Sequence, residues 1–307
     1  MRTIDLEALL IFRTVVTEGG VNRAAEKLHR VPSNVTTRIR QLEEYLGVRL
    51  FRRDGRTLSL TAEGKTLLNY AVRLLRLADE AVDELRTGKA QGVFRLGSLE
   101  STAGSRLAPI LSRYHAAHPG VVVELVTGTT GALLNRVRNF EIEAAFVSEP
   151  FTAPELEALP VFREELVLIT PRDTGPIRSA RDLGRLTMIA FAHGCSYRKR
   201  LDDWLGSENV MSERVLEFGS YQGMIACVAA GTGFAVVPKS VLGALQAADK
   251  VRQHQLPERI AANCTHLVWR GEASLALAGL MAMLRAEPGA EMPALELLIS
   301  CGETAAR

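Results

Sequence analysis

The sequence predicts two folded parts: a small N-terminal domain of three helices and a β-hairpin, and a larger α/β domain of two lobes. Three observations support this division. Apolar residues recur at helical spacing up to residue 46, a turn signal follows at Asp54-Gly55, and strand-like and helix-like runs alternate from residue 93 onward. An apolar seam between the two parts predicts one long connecting helix.

The composition is that of a folded protein without a membrane span. Of the 307 residues, 47% are hydrophobic and 23% are charged, which excludes disorder as the main state. The first apolar segment is interrupted by Asp5, Glu7 and Arg13, which argues against a secretory signal. None of the four cysteines belongs to a CxxC pair, so a reducing, cytoplasmic compartment is expected: Cys195, Cys227, Cys264 and Cys301.

Charge is distributed unevenly along the chain. Residues 1–60 carry eleven Lys/Arg and seven Asp/Glu, a balance of +4, whereas the whole chain has a net charge of +2. A basic N-terminal domain on a slightly acidic body indicates a polyanionic partner for that domain. A solvated basic face would give the same balance.

The N-terminal domain begins with three predicted helices. Apolar spacing predicts a helix over 5–17, a short one over 21–28 and a third over 32–46, with Pro32 in the first turn. The third helix carries hydroxyl, amide and cationic side chains opposite its apolar stripe. Such donors suit phosphates and base edges, whereas a solvent-facing helix usually carries Glu/Lys pairs. The predicted DNA contacts of this helix are Ser33, Asn34, Thr36, Thr37, Arg38 and Arg40.

A basic hairpin follows the third helix. Residues 50–52 and 57–60 predict two short strands that flank Asp54-Gly55, a strong turn signal. A basic hairpin directly after a helix-turn-helix is typical of a wing that contacts the DNA backbone. The predicted phosphate contacts are Arg52, Arg53 and Arg56. Residues 1–60 are therefore interpreted as a winged helix-turn-helix domain.

Residues 61–86 predict a long linker helix that begins at Thr61, a plausible N-cap residue. Its apolar residues recur at alternating spacings of four and three, which is a heptad seam that requires a partner helix. The seam consists of Leu67, Ala71, Leu74, Ala78, Ala81 and Leu85. Packing of this face against the protein's own body is the alternative.

The polar, Gly-rich residues 87–92 are interpreted as a hinge, and residues 93–307 as the larger α/β domain. Alternating strands and helices predict a mainly parallel sheet. The length favours two lobes with a cleft, lobe I at about 93–163 and 266–300 and lobe II at about 164–265. Predicted strands lie at 93–98, 121–126, 144–148, 165–170, 187–191, 214–218, 234–237 and 265–269, and predicted helices at 102–117, 131–139, 198–205, 222–230, 239–247 and 274–286.

A small molecule is expected to bind where strands end and helices begin. Hydroxyl groups and free N–H groups at these junctions suit a carboxylate or phosphate, although simple N-capping explains each hydroxyl singly. Glu100 is a natural partner for an ammonium group, with helix-dipole complementarity as its alternative. The candidate residues at the junctions are Glu100, Ser101, Thr102, Thr129, Thr130, Ser148, Cys195 and Ser196.

Other reactive side chains have ordinary interpretations. Cys195 lies near a predicted helix start, where a thiolate would be stabilised, but a small packing residue explains it more simply than a redox switch. His115 and His118 are interpreted as C-terminal capping residues. No nucleophile elbow, phosphate-binding loop, HExxH or dinucleotide fingerprint is present. Neither an enzyme nor a bound metal or cofactor is therefore expected.

Two segments resemble the LysR-type transcriptional regulators: AAEKLHRVPSNVTTRIRQLEEYLGVRLFRRDGRTLSLTAEG at 24–64 and GTGFAVVP at 231–238. The resemblance implies a winged helix-turn-helix dimer joined through the linker helices and often assembled into tetramers. It also implies a body similar to periplasmic binding proteins that holds a small inducer, and RNA polymerase as a candidate partner. Many members have Ser-Arg where this chain has Thr36-Thr37, so the base contacts are expected to differ in detail.

A narrower resemblance involves RVPSNVTTRIRQLE, GSLESTAG, CSYRKR and GSYQGMIACVAAGTG. These segments are similar to a subgroup that includes an enterobacterial regulator of putrescine use. The last of them adds Tyr221 to the candidate effector residues.

Two other functions fit parts of the pattern. A solute-binding or sensor module with an N-terminal protein-interaction domain would share the α/β body, but the basic wing and polar third helix argue against it. An α/β enzyme fused to a DNA-binding domain would need a nucleophile, base or cofactor motif, which the sequence lacks.

Overall fold

The computed structural model describes residues 4–54, 57–87, 89–184 and 186–286. It divides the chain into two compact units, of which the first ends at Ala90 and the second begins at Gln91. Among the described residues, no helix combines the length and apolar character needed to cross a membrane.

The N-terminal unit is a winged helix-turn-helix. The three predicted helices form where the apolar spacing placed them, and local signals delimit the first and the third. The Asp5 carboxylate accepts a hydrogen bond from the Ala8 N–H at 2.6 Å, Pro32 occupies the first turn of the third helix, and Gly47 ends that helix with φ of 69°. The elements are α1 (Leu6–Thr17), α2 (Val21–Lys27), α3 (Pro32–Leu46), β1 (Phe51–Asp54), β2 (Thr57–Leu60) and α4 (Ala62–Thr87).

The linker helix α4 divides its predicted seam between two environments. Leu67 and Ala71 are buried, with Leu75, in the same core as Phe12 of α1. These two residues therefore stabilise the N-terminal unit and are not accessible to a partner helix, which corrects the prediction for this end of the seam. Ala78 is half-buried, and the remaining seam residues Leu74, Ala81 and Leu85 are exposed.

The second unit contains strands and helices in alternation. Its strands are β3 (Gly92–Ser98), β4 (Val121–Thr127), β5 (Ala144–Ser148), β6 (Glu157–Thr170), β7 (Thr187–Ala190), β8 (Val215–Glu217), β9 (Gly233–Pro238), β10 (Arg252–Gln255) and β11 (Ala262–Trp269). Its helices are α5 (Glu100–Thr102), α6 (Ala108–Ala117), α7 (Thr130–Arg138), α8 (Ser196–Ser207), α9 (Tyr221–Ala229), α10 (Lys239–Ala244), α11 (Glu258–Ala261) and α12 (Leu275–Arg285). The predicted helix over 102–117 is interrupted by a π-helical segment, Ala103–Leu107.

The long strand β6 joins two lobes. Its first part pairs with β11 in a sheet of order β4-β3-β5-β11-β6, and its last residues pair with β9 in the order β6-β9-β7-β8. The chain returns through β10 and α11, and β11 then starts at Ala262 beside Glu165. The return into lobe I thus begins earlier than the predicted position 266. Residues 287–300 of the predicted lobe I lie outside the described residues.

The sheet is mixed, which corrects the prediction of a mainly parallel one. Strands β3, β4, β5, β7, β8 and β9 make parallel pairs, whereas every pair made by β6 or β11 is antiparallel. The sequence predicts only 165–170 of β6, and the strand extends over Glu157–Thr170 although Pro160 is a residue that strand interiors disfavour. Pro160 pairs with His266, directly beside the register shift between Thr265 and His266, an irregularity that accommodates it.

Candidate DNA-binding surface and effector pocket

Helix α3 has one face in the core and one in solvent. Val35, Ile39 and Leu42 are buried, which fixes the orientation of the helix. Five of the six predicted DNA contacts on α3 are exposed: Ser33, Asn34, Thr36, Thr37 and Arg40. The Thr36 hydroxyl donates to the Pro32 carbonyl at 2.9 Å, so its remaining capacity is as an acceptor.

The sixth residue, Arg38, is half-buried and held by a carboxylate of α1. Its guanidinium donates to Glu7 Oε2 at 2.5 Å, and Arg30 contacts the other oxygen of the same carboxylate. Hydrogen bonds from Arg30 and then Arg38 lower the pKa of Glu7. Arg38 can therefore reach DNA only with the N–H groups that Glu7 leaves free, a restraint that the sequence did not reveal.

The wing is partly described. The Arg52 side chain is exposed and its Nε donates to Ser59 Oγ at 3.1 Å across the hairpin. The side chain of Arg53 and the whole of Arg56 lie outside the described residues.

Glu43 connects α3 to the start of the wing through hydrogen bonds. Its buried carboxylate accepts hydrogen bonds from the Leu50 N–H at 2.8 Å, the Phe51 N–H at 3.3 Å and Arg49 at 2.9 Å. The carboxylate supplies the acceptor for the buried Leu50 N–H and for the part-buried Phe51 N–H, and buried backbone N–H groups require such acceptors.

Replacing Glu43 with Ala is expected to lower the free energy of unfolding by about 1–3 kcal/mol, since it leaves the buried Leu50 N–H without an acceptor. Thermal and denaturant unfolding of the full chain measure the change. Glu44→Ala is the matched control, because Glu44 is the exposed neighbour on the same helix. Equal stability of the two variants would contradict this role for Glu43.

In the second unit, a pocket of about 270 Å³ lies where strand ends of lobe I meet helix starts of lobe II. Seven of the nine predicted effector residues line it: Glu100, Ser101, Thr129, Ser148, Cys195, Ser196 and Tyr221. Leu99, Gly128, Phe191 and Tyr197 complete the wall.

Thr130 and Thr102 do not line the pocket, which corrects their prediction. Both are buried. Thr130 instead supports the wall, because its Oγ1 accepts from the Ser148 N–H at 3.2 Å and lies 2.8 Å from Ser196 Oγ. Ser196 Oγ is also 2.7 Å from the Ser148 carbonyl oxygen. These contacts join the start of α8 to the end of β5, so they hold the two sides of the pocket together.

Two hydroxyl groups on the wall, Ser101 Oγ and Tyr197 Oη, are buried without a hydrogen bond of normal geometry in the described part of the chain. Ser101 and Ser148 lie near enough to the Tyr197 hydroxyl to act against the rise in its pKa. Burial raises the pKa of Tyr197 to about 12, so the residue is a neutral phenol that can donate a hydrogen bond. An unpaired buried polar group is unfavourable, and a ligand hydrogen bond would relieve that cost.

Glu100 is the charged group of the pocket. Among the described residues that line the cavity, it alone carries a formal charge at neutral pH. Burial raises its pKa, and the backbone N–H of Tyr221 acts in the opposite direction. Three aromatic side chains, Phe191, Tyr197 and Tyr221, share the wall with it. A carboxylate beside aromatic rings is an arrangement that favours a cationic group.

Cys195 precedes α8 on the pocket wall. Burial raises the pKa of its thiol and outweighs the lowering by backbone N–H groups of α8. Burial therefore opposes the stabilisation of a thiolate at this helix start, and the interpretation of Cys195 as a small packing side chain stays a prediction.

Alkylation by iodoacetamide is expected to be slower at Cys195 than at Cys227, a half-buried free cysteine, because the thiolate is the nucleophile. Mass spectrometry of the native chain over time measures both rates. Faster labelling at Cys195 than at Cys227 would show that Cys195 is a reactive thiol.

Two family models match successive parts of the chain. Residues 6–65 match the family model for the bacterial regulatory helix-turn-helix protein, lysR family, and residues 87–289 match the LysR substrate binding domain. The chain belongs to the LysR family. It is a DNA-binding transcriptional regulator whose second unit is the effector-binding domain of that family.

Two relatives match over most of their length. This LysR-type regulator is 34% identical over 273 residues to the transcriptional regulator SoxR of Arthrobacter sp. (strain TE1826), which covers 89% of this chain and 93% of SoxR. It is 34% identical over 268 residues to GltR of Bacillus subtilis (strain 168), covering 87% and 90%. Neither name refers to putrescine use, and the narrower subgroup resemblance has no support from these relatives.

Solved structures show the same fold. ArgP from Mycobacterium tuberculosis superposes with a TM-score of 0.73 at 17% identity, over 92% of this chain and 97% of ArgP. Full-length CbnR, solved in complex with its target DNA, superposes with a TM-score of 0.63 at 22% identity, over 92% and 98% of the two chains.

Proposed function

We propose that this LysR-type regulator responds to a small effector with an amino group, which binds the Glu100 carboxylate. The observation that carries the proposal is the charge of the pocket wall, on which Glu100 is the one formally charged group among the described residues. A cation beside Glu100 would favour the ionised carboxylate that burial disfavours. A plain dicarboxylate would instead bring negative charge next to Glu100.

A carboxylate on the same effector has a separate place to bind. The pocket wall includes Thr129, whose side chain caps α7, and Ser196 and Tyr221, the first residues of α8 and α9. Helix starts favour negative charge. An amino acid, with both groups, therefore fits the pocket better than a diamine, which would use Glu100 alone.

DNA binding in this proposal uses the exposed face of α3 and the wing. The side chains of Asn34, Thr37 and Arg40 contact base edges, and Ser33 and Thr36 on the same face contribute further contacts. Arg52 of the wing binds phosphate. Arg38 contributes through the donors that Glu7 leaves free, and Arg53 and Arg56 extend the wing contacts.

Self-association uses the outer face of α4. Tyr70, Leu74, Leu77, Val82 and Leu85 are exposed large apolar side chains along this helix, and a second copy of α4 would cover them. A cytoplasmic dimer or tetramer that contacts RNA polymerase at the promoter completes the proposed regulator.

The test is a ligand screen by thermal unfolding of the full chain, with amino acids, diamines and plain dicarboxylates as the three arms. A ligand present at about 100 times its dissociation constant stabilises the folded state by roughly 2.7 kcal/mol. Stabilisation by amine-bearing ligands, together with a changed DNA footprint in their presence, is expected, because a regulatory ligand must bind two states with different affinity. Stabilisation by dicarboxylates alone would reject the amine proposal.

A further inference from the structure

A second cluster of ligand-type side chains lies outside the pocket. Glu149, Cys264 and His266 each present one donor atom, and the three donor atoms lie within 4.8 Å of one another. Carboxylate, thiol and imidazole together are a ligand set suited to zinc and similar divalent ions. We propose that these three side chains form a metal site for Zn²⁺ or a cation of similar ligand preference, separate from the residues that line the effector pocket.

Strand geometry brings the three residues together. Cys264 and His266 are two positions apart on β11 and therefore project from the same face. Glu149 follows β5, the neighbour of β11, and its N–H donates to the Cys264 carbonyl at 3.2 Å. The register shift between Thr265 and His266 is a local irregularity of the kind that redirects side chains near functional sites.

The spacing of the donors matches a metal's coordination sphere. Glu149 Oε1 lies 3.5 Å from His266 Nε2. Two ligands at Zn–O and Zn–N distances of about 2.0–2.1 Å in a tetrahedral arrangement are separated by roughly 3.3–3.5 Å. These two atoms can therefore bind one ion with little movement, and the thiolate of Cys264 supplies the third ligand after releasing its proton to solvent.

The surroundings orient the imidazole so that its Nε2 faces the carboxylate. The ring packs edge-on against Phe151 at 5.5 Å between centroids, and Nε2 is the ring nitrogen that lies near Glu149 Oε1. The Arg200 Nη2 atom lies 3.9 Å from Glu149 Oε2, whereas His266 lies nearest the other carboxylate oxygen, Oε1. One carboxylate oxygen thus remains available to a cation.

The site is at the junction of the lobes. Its ligands join the end of β5 to the start of β11, the strand through which the chain re-enters lobe I. On the opposite face of β11, the Asn263 side chain lies 2.8 Å from Ser148 Oγ of the pocket wall. A bound cation would therefore stiffen the strands that carry one wall of the effector pocket.

The experiment is titration of the reduced full-length chain with Zn²⁺ and with Co²⁺, in the absence of DNA and effector. Binding of one ion per chain is expected, with a thiolate-to-cobalt charge-transfer absorption. Cys264→Ser should abolish that absorption, whereas Cys227→Ser, which removes the half-buried cysteine of α9, should keep it. His266→Gln and Glu149→Gln should each weaken Zn²⁺ binding by at least about 10- to 100-fold, the loss that even outer partners of metal ligands produce.

His115→Gln is the control for the histidine, since His115 is exposed on α6. Metal-free thermal unfolding establishes that each variant is folded. If Cys264→Ser does not fold, the affinities of His266→Gln and His115→Gln decide the question. A wild-type chain without the charge-transfer absorption, or an absorption unchanged in Cys264→Ser, would overturn the site, and neither result bears on the amine effector.

Discussion

Glu100→Gln is expected to remove the stabilisation of the full chain by amine-bearing ligands. The amide keeps the size of the side chain and one acceptor oxygen, but it replaces the other oxygen with an NH₂ donor and removes the charge. Loss of one partner of a partly desolvated charge pair costs about 2–5 kcal/mol, which corresponds to roughly 30-fold to several-thousand-fold in the dissociation constant. Isothermal titration of the wild type and the variant with the best amine from the ligand screen measures this ratio.

The matched control is Glu124→Gln, which neutralises an exposed carboxylate of lobe I that pairs with Arg95 at the surface. It should leave amine affinity unchanged. Glu100→Gln should also gain relative affinity for plain dicarboxylates, because the repulsion from the carboxylate is gone. Equal amine affinity in the wild type and Glu100→Gln would make Glu100 a helix-dipole residue and leave the helix starts as the ligand-binding groups.

The wall of the pocket could be predicted because strand ends are local sequence features. Glu100, Ser101, Thr129 and Ser196 each follow a run of strand-like residues, and in an α/β fold such ends converge. Phe191 was missed because an aromatic residue beside a junction has the same pattern as a core residue. Thr130 has a hydroxyl group that could have contacted a ligand, but this hydroxyl is engaged in hydrogen bonds with Ser148 and Ser196.

Contacts between residues that are far apart in the sequence could not be predicted from the sequence pattern. Nothing in the spacing of Glu149, Cys264 and His266 indicates that they meet, because the register of β5 on β11 decides it. The ion pairs of Glu7 with Arg30 and Arg38 likewise depend on how α1 crosses α3. Periodicity predicted the helices α1, α2 and α3 well, since each buries an apolar face. The same periodicity could not distinguish the seam residues of α4 that are buried in the N-terminal unit from those that remain exposed.

The double substitution Thr37→Ala/Arg40→Ala is expected to abolish sequence-selective DNA binding. Both side chains are exposed on α3, and neither contributes to the buried core, so the fold should survive. A lost base contact costs about 1–3 kcal/mol, and two independent losses would total roughly 2–6 kcal/mol if they add. The measurement is the ratio of affinities for a site selected by the wild type and for unrelated DNA, at one fixed salt concentration.

Arg52→Ala separates base reading from phosphate binding. Arg52 is exposed on the wing, and a phosphate contact there should weaken both DNAs equally and reduce the slope of log affinity against log salt by about 1. The double variant should show the reverse pattern, with the selectivity lost and its affinity for unrelated DNA little changed. If the selectivity ratio of Thr37→Ala/Arg40→Ala equals that of the wild type at matched salt, these two residues do not read bases. Recognition would then rest on Asn34, Arg38 and the wing.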